Sequence, residues 1–359
     1  MTTTPTHLTT RERLAFFELP ILVLLIFVLV EMGGIAVSWD YTGWPLVIST
    51  FVVGMPHGAA DFMVATRRKH SATTWSKLLA FSRYSLLLLA SASLAIWQPT
   101  WALTMFLFVS ACHFGLADAR DLGRRTGSEE SNETVLIAAF GRGVLLVAAP
   151  IVFQPQESLD AFARVLAIFG EQPLTATAST ARAFAAGLLM SAFAAQTLVT
   201  LIRWRRMRRS ATALDLIEVV VLTAAFATLH PLFAIGLYLL AWHGWRHLHT
   251  LAKFFASTGD GENRGIIRQI TQMHWYSLPL LIPTLVVYLV VAVWRLENWS
   301  ADNLAALTIA SFVIVTLPHH VLVEGISRFL RRRSGKKSQT APFRGGGNFT
   351  ELTRSPSHG

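Results

Sequence analysis

The chain reads Trp242-His243-Gly244-Trp245-Arg246-His247 inside a hydrophobic stretch. Residues four apart share a helix face, so His243 and His247 can grip one metal ion. Two more histidines are embedded in apolar sequence. His57 lies in Gly54-Met55-Pro56-His57-Gly58-Ala59-Ala60-Asp61, and His113 in Ala111-Cys112-His113-Phe114-Gly115-Leu116-Ala117-Asp118. Ionisable groups at membrane depth are costly and mark function. Four neutral imidazoles suit Fe(II), Cu or Zn and leave the ion its full charge. Zinc tends to close its tetrahedron with four ligands. Iron(II) favours six positions, which leaves two open for dioxygen or substrate, and is the better match.

Other groups stand in reach of those four. Asp61 follows His57 by four residues and Asp118 follows His113 by five, spacings that let a carboxylate hold the second nitrogen of a ligating imidazole on a neighbouring helix. Both also suit the cytoplasmic ends of their helices. Glu218 is a further candidate for such a partner. His319 and His320, in Leu317-Pro318-His319-His320, are expected at similar depth, where one joins behind the ligands or lines the cavity. Cys112 adjoins His113, but successive helical side chains point about 100° apart, so co-ligation is not expected. His230, His249 and His274 sit at turns or interfaces and His7, His70 and His358 in polar segments, where capping or surface roles are the default.

Composition sets the surroundings. The 359 residues are 53% hydrophobic and 14% charged, against roughly 25% charged in an average soluble domain. Mean hydropathy is +0.47 and comes from repeated apolar runs of about 20 residues, each able to cross a hydrocarbon core of roughly 30 Å. The expected fold is an all-α integral membrane protein, a polytopic helical bundle. The net charge of +10 belongs to short loops, where it sets orientation and meets anionic lipid, and nucleic acid is not expected as a partner. One cysteine excludes an intrachain disulfide and any multi-cysteine cluster. The first apolar run lacks a small-residue cleavage site and reads as a retained span.

Ten spans are expected, within a range of eight to ten: residues 15–37, 45–65, 76–96, 99–117, 134–154, 182–202, 214–229, 231–249, 276–295 and 304–324. The stretch 214–249 reads as two spans turning at His230-Pro231 because the alternative, one helix kinked at the proline, breaks the charge bias. With two spans, one side holds 25 of the 31 lysines and arginines, and the opposite loops hold Arg164, Arg182 and Arg295. Both termini are then cytoplasmic, in a multi-pass protein of the cell inner membrane. The expected organisation is a tail at 1–14, one membrane-embedded catalytic domain at 15–325, and a basic, disordered tail at 326–359. Residues 159–170 place Phe162, Val165, Leu166 and Phe169 at helical spacing, an interfacial helix on the outer side. In this orientation His57, His113, His243 and His247 all lie roughly 18–24 Å below the outer ends of their helices.

The motifs Pro56-His57-Gly58-Ala59-Ala60-Asp61, His113-Phe114-Gly115-Leu116-Ala117-Asp118, Trp242-His243-Gly244-Trp245-Arg246-His247 and Pro318-His319, in this order, resemble those of the Brp/Blh family of bacterial and archaeal β-carotene 15,15'-dioxygenases. The resemblance covers about residues 50–325. It implies a membrane enzyme that uses Fe(2+) and O2 to split the central double bond of β-carotene, or a related lipid-soluble carotenoid, into two all-trans-retinal. It carries the iron ligands onto His57, His113, His243 and His247. A retinal-binding rhodopsin is the product acceptor such an enzyme implies. The substrate would enter from lipid along a tunnel walled by Phe62, Phe114, Tyr238, Trp242 and Trp245, which flank the ligands.

Rival chemistries fit less well. A di-iron desaturase needs about eight histidines in adjacent-pair clusters, and one His-x-x-x-His is present. A b-type cytochrome needs only two axial histidines, and a transporter site would be expected to add Asp, Glu or Met at the midplane.

Overall fold

The computed structural model describes residues 9–56, 58, 74–126, 130–172, 174–206, 209–257, 266–296 and 298–339. Every regular element among them is helical. The main helices are α1 (Thr10–Met32), α2 (Trp44–Gly54), α3 (Thr74–Trp97), α4 (Pro99–Thr126), α5 (Asn132–Phe153), α6 (Pro155–Ile168), α7 (Ala178–Arg205), α8 (Arg209–Thr228), α9 (built from Pro231–Leu237, Tyr238–His243 and Gly244–Ser257), α10 (Ile266–Arg295) and α11 (Ala301–Gln339).

Each of the ten expected spans falls on one of these helices, the second only as far as it is described. Six of them are long and apolar enough to cross a bilayer unaided: α1, α4, α5, α7, α8 and the Ala301–Val323 part of α11. A seventh is α10 if its halves, bent by 62°, form one span; Trp44–Gly54 and Phe81–Trp97 are shorter apolar helices. The protein is therefore an all-α, polytopic membrane protein.

The ends of the bundle differ from the sequence expectation in two places. The helix begins at Thr10 rather than beyond 14, because Thr9 and Glu12 form a capping box: the Thr9 side chain accepts from the Glu12 N–H, and the Glu12 carboxylate accepts from the Thr9 N–H at 2.9 Å. At the other end α11 runs on to Gln339, into the stretch expected as an unfolded tail. Arg331, Arg332, Arg333, Lys336 and Lys337 are good helix formers on a helix already nucleated by its apolar half.

The break inside 214–249 lies where proline predicts it. His230 caps the next helix, its Nδ1 accepting from the Leu232 N–H at 3.3 Å, while its own N–H donates to Ser38 Oγ at 3.0 Å. Burial at this turn pushes the imidazole below its ordinary pKa, which suits a neutral ring acting as an acceptor.

Three stretches are π-helical, each ring of hydrogen bonds one residue wider than in an α-helix: Leu14–Glu18, Thr50–Gly54 and Tyr238–His243. Such turns are rare and recur at functional sites. One ends on His243, and another ends three residues before His57.

Helices α4, α5 and α7 form the closest-packed layer, and α11 closes on α3, α4 and α6. The largest buried cluster joins Leu24 and Val28 of α1, Leu145 and Leu146 of α5, Leu222 and Phe226 of α8, and Tyr238 and Trp242 of α9. A second lies at the Pro99 end of α4, where the amphipathic helix α6 buries Val165 and Leu166 against Ala102, Leu103, Ala306 and Ala310, with Phe162 and Phe169 alongside.

Candidate metal centre

Small residues seat the histidine-bearing helices closely against their neighbours. On α4, Ala111 and Gly115 flank His113, and α5 presents Ala139 and Gly143 to them. A Cβ at Gly115 would stand 2.0 Å from the Ala139 carbonyl oxygen, and one at Gly143 would stand 1.9 Å from that of Ala111. The two backbones touch, as small-residue pairs permit in membrane bundles, and His113 is fixed in depth and rotation. Gly244 serves the neighbouring contact. A Cβ there would lie 2.3 Å from Val53 Cγ1, so the α2 chain that leads to His57 lies directly on the helix bearing His243 and His247. On α11, Pro318 lacks an N–H and stands immediately before His319 and His320.

These elements place five imidazoles around one space. The ring centre of His113 is 5.2 Å from that of His243, 5.1 Å from His319 and 5.6 Å from His320. His247 completes the set at 6.2 Å from His243 and 6.5 Å from His319. His113 and His243 are buried, and the other three are half-buried. Imidazoles that share one metal ion through bonds of about 2.1 Å have ring centres about 4.5–6.5 Å apart, so the spacing and the uncharged donor set fit a multi-histidine centre. Among the described residues no group of three or more His, Cys, Asp or Glu stands close enough together, as placed, to hold a metal ion. His57, Asp61 and Phe62 lie outside the described residues.

The aromatic residues named from sequence divide into two groups. Phe114 stands edge-on to His243 at 4.7 Å and to His113 at 5.4 Å, and Tyr238 stacks on His243 at 6.0 Å. Trp242 and Trp245 turn elsewhere. Trp242 is fully buried beneath the Arg246 guanidinium, 3.9 Å from its ring centre. Trp245 stacks on Phe16 at 5.2 Å and donates from Nε1 to the Ala15 carbonyl at 3.0 Å, in the π turn of α1.

Beside the histidines lies a layer of buried ion pairs that sequence reasoning saw only in fragments. Glu218 accepts from Arg125 at 2.6 Å, Arg142 at 2.8 Å and Arg246 at 2.9 Å. Arg142 also reaches Asp215 at 2.5 Å and stands 3.8 Å from Asp118. Arg203 joins Asp215 to Glu130, the latter at 2.7 Å, and Gln196 donates to Asp215 as well. Glu218 and Asp118 thus face arginines: the partners seen for Asp118 are Arg142 and the Tyr238 hydroxyl, which donates to it at 3.3 Å. The layer ties α4, α5, α7, α8 and α9 together at one end of the bundle. Tyr238 links it to the imidazoles.

His320 is the site residue whose role the sequence left open. Its Nδ1 lies 3.4 Å from that of His113. The available signal was an adjacent histidine pair in an apolar helix at the depth of the other four. Two other described histidines do ordinary work: His249 meets Glu12 at 3.4 Å and Phe16 at 4.5 Å, and the ring nitrogens of His274 face the carbonyls of Ile270 and Val52 at 2.9 and 3.0 Å; His7, His70 and His358 lie outside the described residues.

No solved structure matches the chain. The probable beta-carotene 15,15'-dioxygenase Blh of Halobacterium salinarum is 29% identical over 313 residues, covering 82% of this chain and 87% of the relative. The family model for beta-carotene 15,15'-dioxygenase matches residues 48–327, a range that contains His57, all five clustered imidazoles and most of the buried ion pairs. The chain belongs to the beta-carotene 15,15'-dioxygenase family and is a carotenoid dioxygenase of the membrane.

Proposed function

We propose that the protein cleaves β-carotene at its central double bond with O2, giving two molecules of all-trans-retinal, at an Fe(2+) ion held by His57, His113, His243 and His247. The balance closes without a further reductant, since both oxygen atoms of O2 end as the two aldehyde oxygens. The observation that carries the reading is the spacing of the His243 ring from those of His113 and His247, on helices fixed by Gly115, Gly143 and Gly244. Bound iron would supply the activation of O2 that a side chain cannot.

The chain's own residues do the rest. The neutral imidazoles leave the ion charged, and the apolar bundle keeps bulk water from the reacting carbons. Phe114 puts a ring beside His243, where it can pack against a polyene. Tyr238 holds the His243 ring by stacking and is itself fixed by its hydrogen bond to Asp118. His319 and His320 crowd His113 from α11 and restrict its rotation. β-Carotene partitions into lipid, so substrate and retinal exchange with the bilayer of the inner membrane, where a retinal-binding rhodopsin is a fitting acceptor.

The test is expression in bacteria that accumulate β-carotene. Loss of orange colour with retinal identified by chromatography is expected for the parent protein, and persistence of colour for His113→Ala at equal membrane content. A correctly inserted parent protein that binds iron yet forms no retinal would overturn the reading.

A further inference from the structure

A narrow apolar slot lies between α3, α4 and α11 and stops about one helical turn short of the histidines. On α4 its wall is made by Ala102, Phe106 and Val109, spaced at helical turns on one face, and the next turn of that face is His113. On α11 the wall is Val313 and Leu317, and the next position on that face is His320. The two faces therefore converge on the pair of imidazoles whose Nδ1 atoms are 3.4 Å apart.

The far end is shut. Ala102 and Val313 also belong to the packed cluster in which α6 buries Val165 and Leu166 against Ala306 and Ala310. From Ala102 to His113 is about 16 Å of helix axis, a length on the scale of half an extended C40 polyene.

The side of the slot is open. Leu94 and Met105, at its rim, are 37% and 44% exposed, on the outer surface of an apolar helix bundle. As it stands the slot has a volume of about 30 Å³, enough for little more than a water molecule, so a polyene enters only if a wall moves. Helix α3 is the wall with least to lose: among its described side chains only Ser91 and Ala95 are buried.

We propose that this slot receives one half of β-carotene from the bilayer and that α6, as its end stop, measures that half so that the central double bond falls at His113 and His320. This rests on the carotenoid-cleavage reading and assigns α6 a part in choosing the bond that is cut. It also sets the substrate path on the α3 side of the site, away from Trp242 and Trp245.

Two experiments on the full-length enzyme in lipid nanodiscs test it. Ala102→Leu shortens the slot at its closed end. A misfit of a few carbons should lower kcat/KM for β-carotene at least about tenfold and add aldehydes of unequal length to the products. Retinal alone at kcat/KM within about twofold of the parent overturns the proposal. Because that variant can fail to fold, the second experiment uses the rim. Met105→Cys, in a Cys112→Ala chain, is labelled with a maleimide in the presence and absence of β-carotene. Substrate should slow labelling at least about fivefold, and the labelled protein should keep its iron and lose cleavage; equal labelling rates with unimpaired cleavage overturn it. Protection by β-carotene is read without turnover. Protection of the Met105→Cys chain with no retinal from the parent protein would therefore indict the cleavage reading, whereas an active, unprotected Met105→Cys chain would indict the slot.

Discussion

His113 and His320 face each other across α4 and α11 with their Nδ1 atoms 3.4 Å apart. At that separation two neutral imidazoles either share a proton, one N–H donating to the other ring, or turn both lone pairs toward a common cation. Either arrangement makes the orientation of His113 depend on His320. His320→Ala should lower iron content and reduce β-carotene cleavage about 10–100-fold, the range for loss of a group that orients a metal ligand. Metal analysis and retinal formation on the same preparation check this. Full iron content with unchanged turnover would leave His320 as helix packing.

The aromatic residues should separate by experiment as they separate in space. Phe114→Ala should raise KM for β-carotene or shift the bond that is cut, with iron retained, because Phe114 lies 4.7 Å from His243. Trp242 is fully buried and covered by Arg246, so Trp242→Ala should lower stability by about 3–5 kcal/mol and bring down expression before it alters KM. Trp245→Ala should loosen α1 on α9, where His249 still holds Glu12 and Phe16, read as increased proteolysis near Ala15. A Trp242→Ala enzyme of normal thermal stability and altered regiochemistry would return that residue to the substrate path.

The sequence made the helices and their order legible, because apolar runs of bilayer length and prolines at Pro99, Pro155 and Pro231 mark their bounds. It also made the site legible as histidines at one depth, since depth follows from rise per residue alone. Rotation about each helix axis is what it could not supply. That is why Trp242 and Trp245, neighbours of His243 in sequence, were expected beside the substrate, whereas the π turn at Tyr238–His243 and the pairing with Arg246 and Phe16 direct them elsewhere. Asp118 and Glu218 were expected beside imidazoles for the same reason. Their arginine partners come from helices far apart in sequence, and no local pattern reports such a meeting.

Glu218 gives the ion-pair layer its clearest test. It neutralises Arg125, Arg142 and Arg246 at once. Glu218→Gln keeps the shape but leaves those guanidinium groups short of a charge, and removing one partner of a buried pair costs about 3–5 kcal/mol. Thermal unfolding in detergent should show a matching loss of stability, with retinal formation by the surviving protein largely retained. A Tm unchanged from the parent would mean that water or lipid headgroups already screen the layer.

The orientation of the bundle in the membrane is open to a direct check. Arg125, Arg203 and the Arg331–Arg333 run should all lie on the cytoplasmic side if the two-helix reading of 214–249 and the charge bias both hold. A reporter fused after residue 335 is expected to be active in the cytoplasm. A periplasmic reporter would sink the ten-span arrangement.

Gly143 offers a test of how the bundle positions His113 without touching any ligand. Its Cβ would fall 1.9 Å from the Ala111 carbonyl oxygen, a contact with rigid backbone that no side-chain adjustment relieves. Gly143→Ala must therefore push α5 from α4, at a cost of about 1–3 kcal/mol for overpacking, and move His113 relative to His243 and His320. Iron content and cleavage should fall together. Gly187→Ala is the control: nothing stands within 4 Å of its Cβ, and replacing glycine within a helix there should stabilise by up to about 1 kcal/mol. If Gly143→Ala kept iron and activity while Tm fell, the close contact would serve stability alone, and the position of His113 would have to be set from α11.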